Sequence, residues 1–96
     1  LLFPMSRDET LRAIAREAVG ILKAYDEKYT SNLLDTCRAY IAHHGEISKT
    51  AAALYQHPNT IRYRLKKAES LLEPVIGKED VYEQLYFLLR LYDLGR

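Results

Sequence analysis

The sequence predicts an all-α protein, a bundle of about five helices that contains a helix-turn-helix. Apolar residues recur every three or four positions along most of the chain, as they do on the buried side of a helix. No stretch alternates apolar and polar residues in the manner of a strand. Two of the helical stretches are separated only by a turn at Gln56 and His57. Such close pairing is the arrangement of a helix-turn-helix.

Composition limits the class of protein further. With 96 residues, 48% of them hydrophobic and 28% charged, the chain fits one globular domain with a modest core. No apolar run reaches the length of about 18 residues that a membrane span needs. Residues 1–5 are too short for a signal peptide. They also lack a conventional start, which predicts that the chain is a fragment of a larger protein. The single cysteine, Cys37, excludes an internal disulfide, and its helical apolar stripe predicts a core position. A free buried thiol is typical of a reducing cytosol, so we expect a cytoplasmic protein.

Three helices are predicted to surround the helix-turn-helix. The first covers residues 7–25 and begins with a capping-box pattern at Ser6. The second covers residues 31–44. A segment marked by Pro and Gly, residues 73–77, predicts a loop, and the last helix is predicted over residues 79–93.

The helix-turn-helix itself is predicted between Ile47 and Leu72. Its first helix begins near Ser48, whose hydroxyl can cap the free N–H groups of the first turn. One apolar stripe of this helix contains Ile47, Ala51, Leu54 and Tyr55. The run of alanines from Ala51 leaves one side thin, so a second helix can approach closely. The second helix starts at Pro58, because proline suits the first helical position, and continues to about Leu72.

The second motif helix has one apolar and one polar face. At about 100° per residue, the apolar face contains Ile61, Leu65, Ala68 and Leu72. The opposite face contains Asn59, Tyr63, Lys66, Lys67 and Ser70, with Thr60 and Arg62 beside it. No Asp or Glu occurs between Glu46 and Glu69, although the chain has 13 of them. The local field is therefore positive, even though the net charge is only +1.

Side chains of this kind are the ones that read duplex DNA. Amides and hydroxyls reach base edges, a guanidinium pairs with guanine, and lysines contact phosphates. The candidate DNA-binding residues are Ser48, Lys49, His57, Asn59, Thr60, Arg62, Tyr63, Lys66 and Lys67. Helical position favours base contacts for Thr60, Arg62 and Tyr63, and phosphate contacts for Lys66 and Lys67.

At these residues the chain resembles a known family, the C-terminal helix-turn-helix domain of PucR-type bacterial regulators, which include the sugar-diacid regulators. The run HPNTIRYRLKKAE resembles the family signature, and ISKTAAALY resembles its first motif helix. The similarity extends from Leu33 to the final LYFLLRLYDL, and a more distant one links the chain to the DNA-binding end of the Fis protein. The chain departs from the family at Pro58, where members usually carry arginine, and at Glu73 and Pro74, where glycine is common.

The resemblance implies a sequence-specific DNA-binding domain of a bacterial transcriptional regulator. Residues 31–96 would form this domain, with a recognition helix at about residues 58–72 in the major groove, and residues 1–30 would link it to an effector-sensing domain that the chain lacks. The expected partner is double-stranded DNA, and no cofactor is expected. A homodimer or higher oligomer is also expected, because the last helix has an apolar band too broad for one core.

Two other interpretations compete with DNA binding. A basic run such as RYRLKK is often only a solvated face, so the alternative is a helical interaction or dimerisation module that uses the Tyr-rich last helix. An enzyme is not expected. His43 and His44 point about 100° apart on a helix and cannot chelate one metal. The sequence contains no Gly-rich phosphate loop, cysteine cluster or nucleophile elbow that would indicate catalytic residues.

Overall fold

The fold is all-α, as predicted. The computed structural model describes residues 6–78 and 80–95, and in these ranges it contains helices and turns but no strand. The five helices are α1 (Arg7–Tyr29), α2 (Leu33–Ala42), α3 (Ile47–Leu54), α4 (Pro58–Ile76) and α5 (Val81–Leu94). The expectation of a bundle of about five helices is therefore confirmed. In the part of the chain that the structure describes, none of these helices is long and apolar enough to cross a membrane.

The first helix, α1, begins at the predicted cap and continues past the predicted end. The Ser6 hydroxyl oxygen accepts a hydrogen bond from the Glu9 N–H at 3.1 Å, as the capping-box pattern indicated. The helix ends at Tyr29 rather than near residue 25, where Thr30 takes up a left-handed conformation with φ of 51°. The residues of the extra turn are mostly polar and exposed, so apolar periodicity could not mark them.

The N-terminus of α2 is capped by a carboxylate from α1. One oxygen of Asp26 accepts hydrogen bonds from the Leu33 N–H at 2.8 Å and the Ser31 hydroxyl at 2.6 Å. The other oxygen accepts from the Leu34 N–H at 3.0 Å. Asn32, at the cap position, makes no side-chain capping bond. The predicted start of this helix at residue 31 is therefore wrong, because the chain first turns to bring these donors onto Asp26.

The end of α2 also differs from the prediction. The helix stops at Ala42 rather than at residue 44, because His44 has a positive φ of 55° and Gly45 follows with φ of 78°. Their N–H groups donate to carbonyl oxygens of the last helical turn at 3.1 and 2.9 Å, which closes the helix. A Cβ at Gly45 would lie 3.1 Å from the Tyr82 ring. Glycine therefore serves both the turn and the close approach of α5.

The second motif helix, α4, runs through the segment predicted as a loop. It continues to Ile76, so the prediction of a loop over residues 73–77 is wrong except at Gly77, where the helix ends. Pro74 lies inside this helix and has no N–H to donate to the Ser70 carbonyl oxygen, but Ser70 is exposed, so water can replace that donor. The last helix, α5, begins at Val81. The predicted start at Glu79 lies outside the described residues, as do residues 1–5.

The helices share one core. Helix α1 packs against α2, α4 and α5, and α4 also packs against α2 and α3. The buried apolar side chains are Ala15, Ala18, Val19, Leu22, Leu33, Cys37, Ala51, Ile61, Leu65, Ala68, Leu72, Leu85, Leu88 and Leu89. The apolar face predicted for α4 is confirmed, since all of its residues lie in this core.

The single cysteine is a core residue, as predicted. The Cys37 side chain is fully buried. Burial, and to a smaller degree the Asp26 carboxylate, raises the pKa of its thiol to about 12. The thiol therefore stays protonated and acts as a small apolar side chain.

Candidate nucleic-acid interface

A tight turn joins α3 to α4. Tyr55 has a left-handed φ of 55°, and the N–H groups of Tyr55 and Gln56 donate to the Ala52 and Ala51 carbonyl oxygens at 3.3 and 2.9 Å. This pair of bonds closes α3 in the manner of a Schellman motif. Ala51 is 2% exposed and Ile61 is fully buried. The small side chain on α3 therefore lets the two helices pack closely, and the turn directs the chain at once into α4.

The start of α3 does not use the predicted cap. Glu46 occupies the cap position without a side-chain capping bond, the helix begins at Ile47, and Ser48 lies inside the first turn. The prediction that Ser48 caps the helix is therefore wrong. Its hydroxyl is exposed and available to a partner. Lys49 is also exposed, and its Nζ lies 3.4 Å from a Glu46 carboxylate oxygen, so part of its charge is neutralised.

The imidazole of His57 caps α4. Its Nδ1 accepts a hydrogen bond from the Asn59 N–H at 3.0 Å, and Pro58 fills the first helical position. The ring proton therefore sits on Nε2, which points away from the capping bond. The Asn59 side-chain oxygen in turn accepts a hydrogen bond from the Arg62 guanidinium at 2.7 Å. Three predicted site residues are thus joined in one exposed group at the start of α4.

The outward face of α4 is exposed, while its edges contact neighbouring helices. Along its centre lie Asn59 and Tyr63, and the Tyr63 side chain is 67% exposed. On one edge, Arg62 and Lys66 share a shallow hollow of about 260 Å³ with Ile47 at the start of α3. Ile47, the first residue of α3, therefore lies next to this edge of α4, and Glu69 also lines the hollow.

The other edge of α4 is less accessible. Thr60 and Lys67 are half-buried. The Lys67 ammonium lies 5.3 Å from the centre of the Tyr25 ring on α1, a cation–π distance. Arg64 turns further inward and donates to the Thr36 hydroxyl on α2 at 3.3 Å. The basic residues of the acid-free segment therefore do not form one uniform surface.

Tyr55 is a candidate contact residue that the sequence pattern missed. Helical spacing placed it on the apolar stripe of α3, but its side chain is 94% exposed. This prediction is wrong because the helix ends at Leu54, and the left-handed conformation turns the next side chain away from the stripe. The ring instead stands at the tip of the turn, close in sequence to the cap at His57. Periodicity applies only within a helix, so it could not identify this position.

The structure offers no obvious metal centre at this site. Across residues 6–78 and 80–95, no group of three or more His, Cys, Asp or Glu side chains is placed to hold a metal ion.

Two helices joined by a tight turn form a helix-turn-helix, and the second of them, α4, has an exposed face with no acidic residue before Glu69. The chain belongs to the PucR C-terminal helix-turn-helix domain family, whose model matches residues 33–91. The match begins at the first residue of α2 and includes the whole of α3 and α4. The resemblance inferred from the sequence is therefore confirmed.

Several known proteins are similar to this chain. It is 37% identical over 71 residues to the purine catabolism regulatory protein of Bacillus subtilis (strain 168), a match that covers 74% of this chain and 13% of that protein. It is 36% identical over 78 residues to an uncharacterized protein in the pkwA 5′ region of Thermomonospora curvata, covering 81% and 43%. The uncharacterized protein YsfB of Bacillus subtilis (strain 168) is 42% identical over 60 residues, covering 58% and 16%. The chain thus spans less than half the length of each of these relatives. No solved structure matches it significantly.

Proposed function

We propose that this chain is the sequence-specific DNA-binding domain of a bacterial transcriptional regulator, and that α4 is its recognition helix in the major groove. The observation that carries the proposal is the outward face of α4, which is exposed, lacks acidic residues from its start to Glu69, and belongs to a helix-turn-helix of the PucR family. A positive surface of this shape attracts the phosphate backbone and admits the helix to the groove.

The first two turns of α4 are proposed to read bases. Arg62 and Tyr63 are exposed there, and Thr60 lies beside them. The Arg62 guanidinium donates a hydrogen bond to the Asn59 side-chain oxygen. This bond partly orders the Arg62 side chain before it contacts a guanine edge. Ordering a side chain in advance reduces the entropy lost on binding.

Phosphate contacts are proposed for the residues that border this centre. Lys66 lies one turn later and is exposed. His57 presents its Nε2–H at the start of α4, where the helix dipole also favours an anion. Ser48 and Lys49 are exposed in the first turn of α3, and Tyr55 adds a hydroxyl at the tip of the turn.

The remaining expectations belong to the whole regulator. We propose that the domain works in pairs, because one recognition helix covers only a half-site. We also propose that residues 1–30 connect it to an effector-sensing domain in the cytoplasm, and that the domain regulates rather than catalyses. One relative is named a purine catabolism regulatory protein, and regulation of a catabolic operon is the corresponding proposal here.

A binding titration tests the proposed interface. A preferred duplex is first selected from a random library with the 96-residue chain, and affinities are then measured on this duplex and on a scrambled one at several salt concentrations. Arg62→Ala is expected to cost about 1–3 kcal/mol on the preferred duplex and less on the scrambled one. Lys66→Ala is expected to weaken both alike and to reduce the salt slope by about one. Arg16→Ala, at an exposed site on α1, is the matched control for the loss of one charge.

Two results would contradict the proposal. An equal loss on both duplexes would make Arg62 a backbone contact rather than a base reader. Binding of the parent chain that does not depend on salt would contradict DNA binding altogether, and would favour the alternative of a protein-interaction module. That alternative has one observation in its support, the exposed Tyr86 and Phe87 on α5.

A further inference from the structure

Helix α5 has a second face that the core does not use. Its buried side is formed by Leu85, Leu88 and Leu89. On the opposite side, Tyr86 and Phe87 are 44% and 50% exposed. Exposed apolar side chains that form a contiguous patch, as these two neighbours do, mark interaction surfaces on soluble proteins.

Hollows lie on both sides of these two aromatic rings. Phe87 borders an apolar hollow of about 270 Å³ against the start of α1 and the end of α4. Tyr86 borders a smaller one of about 100 Å³ lined by Arg38 and Ile41 of α2. The two rings can therefore insert into hollows of a partner, and the hollows beside them can accept side chains of that partner.

Charges flank the aromatic pair in a self-complementary order. Glu83 lies one turn before the rings and Arg90 lies one turn after them, and both are exposed. No described residue forms a salt bridge with the Glu83 carboxylate. The Arg90 guanidinium lies 5.8 Å from the centre of the Tyr86 ring. The order along the face is therefore negative, aromatic, aromatic, positive.

We propose that a second copy of this chain docks on this face, with the two α5 helices antiparallel about a twofold axis between Tyr86 and Phe87. In that arrangement, Glu83 of each helix lies level with Arg90 of the partner subunit. Tyr86 of each helix lies level with Phe87 of the partner subunit. An isologous contact requires such a pattern, because every residue must find its complement on an identical surface.

Charge complementarity is what selects a second copy as the occupant. A different partner would need an unrelated surface that happens to carry the opposite order of charges, whereas this face already matches itself when turned end to end. Asp93, near the far end of α5, does not add an unpaired charge, because it forms a bidentate contact with Arg38 at 3.0 Å. The inference rests on the proposed function only in that a paired DNA-binding domain needs a symmetric contact.

Single and double charge reversals test this arrangement. Sedimentation velocity over a wide range of concentrations, without DNA, gives the dimer dissociation constant of the 96-residue chain. Glu83→Arg places two arginines level with each other, and Arg90→Glu does the same with two glutamates. Each single variant is expected to weaken the dimer about tenfold or more, and the double variant Glu83→Arg/Arg90→Glu is expected to restore it.

Mixing the two single variants is the decisive measurement. In an equimolar mixture of Glu83→Arg with Arg90→Glu, both level pairs become opposite in charge, so the mixture is expected to dimerise about as tightly as the parent, although each component alone dimerises about tenfold or more weakly. Glu17→Arg, an equal charge change at an exposed site on α1, is expected to leave the parent dimer unchanged. Circular dichroism of every variant checks that loss of the dimer is not loss of the fold.

The outcomes separate this inference from the proposed function. A monomeric parent chain, single variants that dimerise like the parent, or a mixture that stays monomeric would each overturn the antiparallel contact. Half-site DNA affinity of the single variants is expected to match the parent, because Glu83 and Arg90 lie outside the proposed DNA interface. If the parent dimerises through α5 but binds no DNA, the proposed function fails while the contact stands.

Discussion

Replacing Tyr55 by glycine should separate stability from DNA binding. Tyr55 holds a left-handed φ of 55°, a conformation that costs a non-glycine residue about 1–2 kcal/mol. Its side chain is 94% exposed, so removing the ring sacrifices almost no buried surface. Glycine gains freedom in the unfolded chain, which offsets about 0.4–1 kcal/mol of the relief. The net expectation for Tyr55→Gly is a free energy of unfolding that is unchanged or higher by up to about 1.5 kcal/mol.

The same substitution should weaken DNA binding. If the Tyr55 hydroxyl donates to a phosphate, its loss removes one hydrogen bond to a charged group, worth about 1.5–3 kcal/mol, or about a tenfold to hundredfold loss of affinity. Thermal melting and a binding titration on the same preparation measure the two effects. Thr30→Gly is the matched control, because Thr30 has a similar φ of 51° at the end of α1, far in sequence from the motif. The control should likewise show an unchanged or higher free energy of unfolding, but without any change in DNA affinity.

Either of two results would refute this reasoning. A clear fall in melting temperature would show that the Tyr55 ring stabilises the turn despite its exposure. An unchanged DNA affinity would remove Tyr55 from the proposed interface. A melting temperature raised by several degrees, as expected for about 1 kcal/mol in a chain of this size, together with weaker binding, would support both parts.

Three further predictions concern other positions. Ala51→Leu should lower the free energy of unfolding by about 1–3 kcal/mol and weaken DNA binding with it, because residue 51 is buried where α3 meets α4; an unaltered melt would show that the two helices do not pack as described. Lys67→Ala should lower the melting temperature slightly and change the salt slope of DNA binding less than Lys66→Ala does, because the Lys67 ammonium lies over the Tyr25 ring; equal slopes would contradict this. The pKa of the Cys37 thiol is about 12 in the folded chain, against 9.0 for an ordinary thiol. The folded state therefore binds the thiol proton more tightly than the unfolded state does, and the free energy of unfolding should fall as pH rises above about 9. At neutral pH, alkylation of Cys37 should follow unfolding, and rapid labelling of the native chain would contradict its burial.

The helices and their buried sides could be predicted because burial imposes a period on the sequence. Every residue assigned to the apolar face of α4, from Ile61 to Leu72, is in the core. The tight turn was also predictable, since Pro58 begins a helix more readily than it continues one. The family likewise followed from residues at the motif itself, and the match covers them.

Helix ends and exposed contacts were harder to predict, because they depend on atoms remote in sequence or on backbone conformation. The start of α2 depends on Asp26, a side chain of the preceding helix. The end of α4 lies beyond Pro74, whose missing N–H affects the carbonyl of the exposed Ser70 and not a buried group, so proline alone does not mark the helix end. Lys67 shares the spacing of an exposed face but rests on Tyr25, which helical periodicity within α4 cannot reveal.

The carboxylate of Asp26 makes α1 and α2 open together. The N–H groups of Leu33 and Leu34 donate to it, so their protons exchange with solvent only when the final turn of α1 separates from α2 or frays. The two helix ends therefore belong to one cooperative unit of local unfolding. Because α2 also packs against α4, a disturbance that frays the end of α1 reaches α4, the helix that carries the proposed DNA-binding face. Hydrogen exchange at Leu33 would report this coupling directly.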